Sequence, residues 1–250
     1  TVATAERTPG CLSLARALSK FGVCSRKEAA LRIQGGRVSV NGRPVTDPAA
    51  WIDPRRDRVL VDGILVSDDT ERLVLALHKP VGYITSRLDP AGRPTVYDLL
   101  GEARQWVFPV GRLDRDTSGL LVLTNDHRLG ERLTSPTEHL PKTYHVHTSG
   151  VMPPEAVAIL RDGVDIGDPT PTRPARVHLL GTRRDGGTWL EIVLTEGRNR
   201  QVRRMCAAVG HDVMALVRVR IGDLALGELA PGAWKRLGPD EIRSLTSSAS

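Results

Sequence analysis

Leu14, Ala17, Leu18 and Phe21 recur at three- and four-residue intervals, the period of a helix with one buried face. A second helix is predicted from Ser25, because SRKE is a capping box in which Ser25 caps the first turn and Glu28 reaches back. Ala29, Ala30 and Ile33 give that helix an apolar stripe, and Gly35-Gly36 ends it. RVSV, NG and RPV then read as strand, two-residue turn and strand, since Asn-Gly accommodates the positive φ angles of a tight hairpin. DRVLVDG adds a strand, and the polar residues 67–72 read as a linker.

From Leu73 the pattern becomes short β-rich runs alternating with helical ones. LVLALHK, GLLVLTND, KTYHVHTSG, TWLEIVLTEG and VMALVRVRIGDLAL read as strands, and TVYDLLGEA, HRLGERLT and residues 154–161 as helices. NRQVRRMCAAVG has helical apolar spacing at Val202, Met205, Cys206 and Val209, with Gly210 as its stop. Strands outnumber crossover helices, which predicts an α+β domain on a mostly antiparallel sheet. The small, polar SLTSSAS predicts a disordered tail over 244–250. No apolar run approaches the roughly 18 residues that span a bilayer. With no basic segment and apolar core at the start, a cytoplasmic location is expected.

Composition alters the picture mainly through charge. The net charge is +6, and it is placed rather than spread. Seven cations lie between Arg16 and Arg43 against the single acid Glu28, and six arginines lie between Glu196 and Arg220 against Glu196 and Asp212. Such patches favour a polyanionic partner. Arg26 and Lys27 occupy the first turn of a helix, where the macrodipole favours acids by about 0.3–1 kcal/mol. Together with Arg16, Lys20, Arg32 and Arg37 they suit nucleic-acid phosphates, whose neutralisation releases counterions. Cys11, Cys24 and Cys206 have neither pairing nor metal spacing and read as reduced thiols. His145 and His147 share a strand face without a third ligand, so no metal site is expected.

The sharpest local feature is VGRLDRDTSGLLVLTND, where Arg112, Asp114, Arg115 and Asp116 crowd the mouth of an apolar strand. A calcium loop of the EF-hand type fits Asp114, Asp116, Ser118 and Gly119, but Asn125 stands where a bidentate Glu belongs, and flanking helices are missing. DTSG also suggests an aspartic protease loop, yet no second copy is present to share a proton. A nucleophilic carboxylate remains; in a cleft it needs a nearby cation to stay ionised, and EGRNRQVRRM can supply one. Taken alone, Asp114 reads rather as an acid paired with Arg112 or Arg115 at a turn.

Residues from about Leu12 to Gly63, through KFGVCSRKEA, GGRVSVNGRPV and VDG, resemble the S4 RNA-binding domain. Downstream, KPVGYIT, GRLDRDTSGLLVLTND, KTYHV and EGRNRQVRRM resemble, in order, the motifs of pseudouridine synthases of the RsuA/RluB type, which modify ribosomal RNA. The resemblance implies a small S4 (αL-like) domain over 11–66 and a synthase domain over 73–243, built on a mostly antiparallel mixed sheet with flanking helices. It implies isomerisation of a uridine by base flipping. Asp114 becomes the catalytic aspartate, Tyr144 the active-site tyrosine packing on the target base, and Arg203 the cation partner. Arg198, Arg200 and Arg204 are further candidates or phosphate contacts, and Asp116 is turn or surface. Arg112 is assigned to the RNA backbone or to displacing the base, and Leu216 to the base pocket or, equally, to the core. The two-helix face of the S4 module would grip RNA through Arg16, Lys20, Arg26, Lys27, Arg32 and Arg37.

Conversion of uridine to pseudouridine breaks N1–C1′ and joins C5 to C1′ without redox change or group donor. Neither cofactor nor metal is therefore implied. The implied partner is ribosomal RNA, of the large subunit in preference to the small, with the protein a monomer. The competing reading is a non-catalytic RNA-binding factor for ribosome assembly.

Overall fold

The computed structural model describes residues 10–67, 72–87, 89–101, 107–135, 137–182 and 186–246. Its contacts divide the chain into two units. The first comprises the residues up to Leu73 with short segments at 105–108 and 124–128; the second is the remainder.

The first unit contains β1 (Leu12–Ser13), α1 (Leu14–Lys20), α2 (Arg26–Gln34), β2 (Val38–Val40), β3 (Arg43–Pro44), β4 (Trp51–Ile52), β5 (Val59–Val61) and β6 (Ile64–Val66). Ser25 caps α2 as expected, its Oγ accepting from the Glu28 amide at 3.2 Å. Asn41 (φ 52°) and Gly42 (φ 78°) make the β2–β3 turn with the left-handed pair that a tight hairpin requires. The sheet runs β3-β2-β5-β6, antiparallel throughout. Leu14, Leu18, Phe21, Ile33, Val38 and Val59 close the core between helices and sheet.

The rest of the chain, most of it in the second unit, contains β7 (Val74–Lys79), a 3-10 turn (Val96–Leu99), β8 (Phe108–Pro109), β9 (Ser118–Thr124), α3 (His127–Thr134) and β10 (Lys142–Thr148). It continues with α4 (Pro154–Asp162), β11 (Arg176–Thr182), β12 (Thr188–Leu194), α5 (Gln201–Ala208), β13 (Val213–Ile221), β14 (Leu224–Ala225), β15 (Trp234–Arg236) and α6 (Pro239–Thr246). The main sheet runs β11-β12-β10-β13-β9-β7-β15, with β8 on β9 and β14 on β13. The pairs β10–β12, β10–β13, β11–β12 and β15–β7 are antiparallel, whereas β9 lies parallel to β13. One apolar cluster gathers Val157, Leu160, Leu190, Ile192, Val202 and Met205; another gathers Val74, Leu120, Val122, Leu133, Leu237 and Leu245.

The parallel pair depends on a single glycine. Gly119 (φ 110°) faces Arg218, and a Cβ there would sit 2.2 Å from the Arg218 carbonyl oxygen. Only a residue without a side chain permits that approach.

Two expectations change. TVYDLLGEA yields one 3-10 turn rather than a helix, closed by a reciprocal cap between Thr95 and Asp98, and its last residues lie outside those described. Residues 244–246 are not a tail but the last turn of α6, where Leu245 has no exposed surface. Ile242 and Leu245 form a short stripe that the surrounding Ser and Thr conceal. Residues 247–250, like 68–71 of the expected linker, lie outside the described residues. Leu245→Ala is expected to cost about 2–5 kcal/mol in chemical unfolding, as for other buried leucines; a disordered tail would show no change.

His145 and His147 have structural partners. His145 meets Glu191 at 3.4 Å, and His147 stacks on Trp189 with ring centroids 5.0 Å apart. No helix of the described residues is long and apolar enough to cross a membrane.

Candidate active site

The acidic loop is held largely by its backbone, which leaves the Asp114 side chain without a hydrogen bond among the described residues. Lys79, at the end of β7, is completely buried. Its ammonium donates to the carbonyls of Thr117 at 2.7 Å and Pro80 at 3.0 Å. Burial lowers its pKa to about 8, against the opposing pull of Asp116 and Asp114. Thr85 Oγ1 donates to the Leu113 carbonyl at 2.8 Å and accepts from the Leu113 amide at 3.2 Å. The Gly82 amide donates to the Arg115 carbonyl at 2.8 Å. KPVGYIT thus acts as a brace under the loop.

Beside the loop opens a cleft of about 640 Å³, lined among others by Arg112, Asp114, Tyr144, Arg200, Leu216 and Arg218. The Asp114 side chain is 30% exposed, and Arg200 Nη1 stands 3.8 Å from its Oδ2. At that separation no hydrogen bond from Arg200 masks the carboxylate oxygens. Asp116 has the stronger contacts: Arg200 donates to both of its oxygens, at 3.0 and 2.8 Å, and Arg203 Nε lies 3.2 Å away. The Arg200 hydrogen bonds, with the Arg203 charge behind them, hold Asp116 below the usual carboxylate range despite partial burial. Arg200 itself is left-handed (φ 48°), immediately before α5. A non-glycine residue in that region costs on the order of 1–3 kcal/mol, a strain that clusters at functional sites.

The cation beside Asp114 is therefore Arg200, where the sequence assigned Arg203. Arg203 leaves from the first turn of α5 and grips backbone, donating to the Asp116 carbonyl at 2.8 Å and the Val213 carbonyl at 2.9 Å. Arg198 and Arg204 are not free phosphate contacts either. Arg198 is taken by Glu196 and the carbonyls of Thr170 and Pro171, and Arg204 by both oxygens of Asp168 and the Ile166 carbonyl. Arg112 is exposed on the cleft without a hydrogen bond or ion pair among the described residues. Tyr144 lines the cleft from β10 and is half-buried. Leu216 both lines the cleft and belongs to the core, at 6% exposure.

In the first unit, Arg16 and Lys20 lie on α1, and Arg26 and Lys27 open α2; none of the four has an ion pair among the described residues. Arg37 is instead held by both oxygens of Asp62 at 2.7 Å, and Arg32 by Glu28 at 3.1 Å. These two, expected to grip RNA, are partly neutralised within the fold. Sequence reasoning passed over three cations of the second unit: Lys79, Lys142 and Arg218. A lysine closing the apolar run LVLALHK, and an arginine two residues after Leu216 on the same strand face, were the available signals.

Residues 73–208 match the family model described as RNA pseudouridylate synthase, and residues 13–52 match the S4 domain. The chain belongs to the RNA pseudouridylate synthase family. The synthase is 40% identical over 245 residues to an uncharacterized RNA pseudouridine synthase of Mycobacterium tuberculosis (strain ATCC 25618 / H37Rv), covering 96% of this chain and 95% of that protein. It is 36% identical over 237 residues to ribosomal large subunit pseudouridine synthase B of Bacillus subtilis (strain 168), covering 94% and 96%. A crystal structure of a pseudouridylate synthase superposes with a TM-score of 0.68 at 32% identity, over 94% of this chain and 99% of the other. The protein is thus an isomerase that makes pseudouridine in RNA, with a small N-terminal S4 domain and a larger α+β synthase domain. A non-catalytic assembly factor is set aside.

Proposed function

We propose that the synthase isomerises a uridine of ribosomal RNA, in the large subunit, with Asp114 as its reactive carboxylate. The observation that carries this reading is the division of labour between two acids. Asp116 absorbs the arginine hydrogen bonds, while Asp114 faces the cleft with Arg200 near but not bonded to it. The large-subunit assignment is supported by the names of the relatives from Bacillus subtilis (strain 168) and Yersinia pestis, both ribosomal large subunit pseudouridine synthase B.

A nucleoside in a duplex must leave its stack to reach the cleft, at a cost of a few kcal/mol. Stacking of the flipped ring on Tyr144 returns roughly 1–3 kcal/mol. Phosphate contacts at Arg112 and along the S4 helices offset the rest. Three routes start from the carboxylate: attack on C1′, attack on the ring, or abstraction of a ribose proton. Each requires an ionised Asp114 facing the nucleoside, and each puts negative charge on the pyrimidine.

The reading is tested by incubating the protein with unmodified large- and small-subunit RNA and mapping pseudouridine. One converted uridine in the large-subunit RNA is expected. Product only in small-subunit RNA would overturn the subunit assignment, and product in neither would overturn the reading. For the S4 face, replacing both Arg26 and Lys27 by alanine should weaken RNA binding. It should also reduce the slope of log affinity against log salt by about 1.4–1.8, at roughly 0.7–0.9 per phosphate contact. An unchanged slope would remove these residues from the interface.

A further inference from the structure

Two cations in the cleft have no part in the scheme above. Arg218 on β13 and Lys142 on β10 both line it, together with Tyr144 and Leu216. Tyr144 pairs with Arg218 across the two strands, and Lys142 stands two residues from Tyr144 on the same strand face. Arg218 is only 4% exposed. Its Nε donates to the Leu120 carbonyl at 2.8 Å, while Nη2 is buried with no hydrogen-bond partner among the described residues. Lys142 has no ion pair among the described residues, and burial, then the Arg218 charge, lowers its pKa.

Leaving a buried donor unsatisfied costs about 1–3 kcal/mol, more when it is charged. The acids of the cleft do not relieve it. Asp114 stands by Arg200, and Glu196 accepts from Arg198 and Gln201. A buried guanidinium with an unmet donor, beside a half-buried ammonium of like charge, awaits an anion. A backbone phosphate is tethered on both sides and hydrated, so it suits the exposed Arg112 rather than a guanidinium with almost no exposed surface. A flipped base is the part of RNA able to reach Arg218, and a base stacked on Tyr144 turns its carbonyl edge toward the neighbours of that ring.

We infer that Arg218, assisted by Lys142, is a catalytic anion site for the uracil itself: it donates to a carbonyl oxygen of the flipped base and takes up the charge that base acquires on leaving C1′. The inference rests on the uridine isomerisation proposed above. On the route by attack at C1′, as an Asp114 oxygen bonds to C1′, the N1–C1′ bond breaks and its electron pair passes to the base, shared over N1, O2 and O4. The base turns, C5 bonds to C1′, and the Asp114–C1′ bond breaks with its pair returning to the carboxylate. The C5 proton goes to solvent and N1 takes one up. A donor already fixed where the charge develops stabilises that step without having to reorganise.

The test compares single-turnover consumption of the target nucleoside in two RNAs, one with uridine and one with 5-fluorouridine at that position. Fluorine makes the base anion more stable, so it needs less help to leave. Arg218→Met is expected to slow the uridine RNA by about 10²–10³-fold, the loss typical of one such donor. On the fluorinated RNA the loss should fall to about tenfold or less, with RNA affinity unchanged, because only transition-state binding is removed. Equal losses on both RNAs would overturn the inference. So would a loss arising wholly from weaker RNA binding, the mark of a phosphate contact. Because Nε also holds the Leu120 carbonyl, Arg218→Lys is measured alongside; it keeps the charge and most of the volume. It should show a smaller loss with the same dependence on the base, and equal slowing of both RNAs by a folded lysine variant would overturn the inference unaided. Failure of the wild type on uridine RNA would overturn the proposed function and this inference with it. Wild-type turnover with equal variant losses would remove only the role of Arg218.

Discussion

Asp114→Asn is expected to abolish pseudouridine formation while leaving RNA binding in place. The amide keeps the shape of the side chain but loses the charge and the nucleophilic oxygens, and removal of such a group typically costs about 10⁴–10⁶-fold in turnover. Binding should survive, since Arg112, Arg16, Lys20, Arg26 and Lys27 have no ion pair among the described residues for the substitution to disturb. Asp116→Asn is the contrasting case. It loosens the bidentate grip on Arg200, which then stands nearest to Asp114. Misplacing one group by about an ångström costs on the order of 10²-fold, so this variant should be slowed yet still form product. Equal, complete inactivity of the two variants would deny the division of labour between the acids.

Gly119→Ala is expected to produce the largest loss of stability among single methyl additions. The position demands φ 110°, and the new Cβ would meet Arg218 backbone, 2.2 Å from its oxygen and 2.5 Å from its nitrogen. Left-handed strain of about 1–3 kcal/mol adds to overpacking of about 1–3 kcal/mol. Total stability of a domain is only about 5–15 kcal/mol, so the variant should unfold at much lower urea or fail to fold. Gly197→Ala is the control, since its Cβ would meet nothing within 4 Å. A wild-type unfolding midpoint for Gly119→Ala would show that the parallel β9–β13 contact is softer than drawn. The consequence reaches function because Ser118 begins β9 directly after the loop that carries Asp114.

Much of this was legible in the chain because local chemistry and tertiary structure agree. The Ser25 cap, the Asn41-Gly42 turn and the apolar strands each form from residues close in sequence, and each appears where the pattern puts it. Gly119 could be read only as the opening residue of a strand, since its real constraint is a strand nearly a hundred residues later. The arginine partner was misplaced for a related reason. In EGRNRQVRRM four guanidiniums compete, and the left-handed backbone at Arg200 decides which one stands by Asp114; no periodicity announces that angle. Asp116 could not be told from a surface acid until Arg200 and Arg203 converged on it. Strand alternation hid Arg218 among inward-facing aliphatic residues, and α6 was missed because two apolar residues in a polar tail fall below any pattern threshold.

When C5 of the target uridine joins C1′, its hydrogen must leave, so tritium at that position counts isomerisation events directly. With large-subunit RNA labelled there and enzyme in excess, the wild type is expected to release the full label of the target site into water. Asp114→Asn, shown to bind the same RNA with the same affinity, should release no more than an enzyme-free control. Tritium release by the bound variant at a rate near the wild type's would contradict a reactive Asp114.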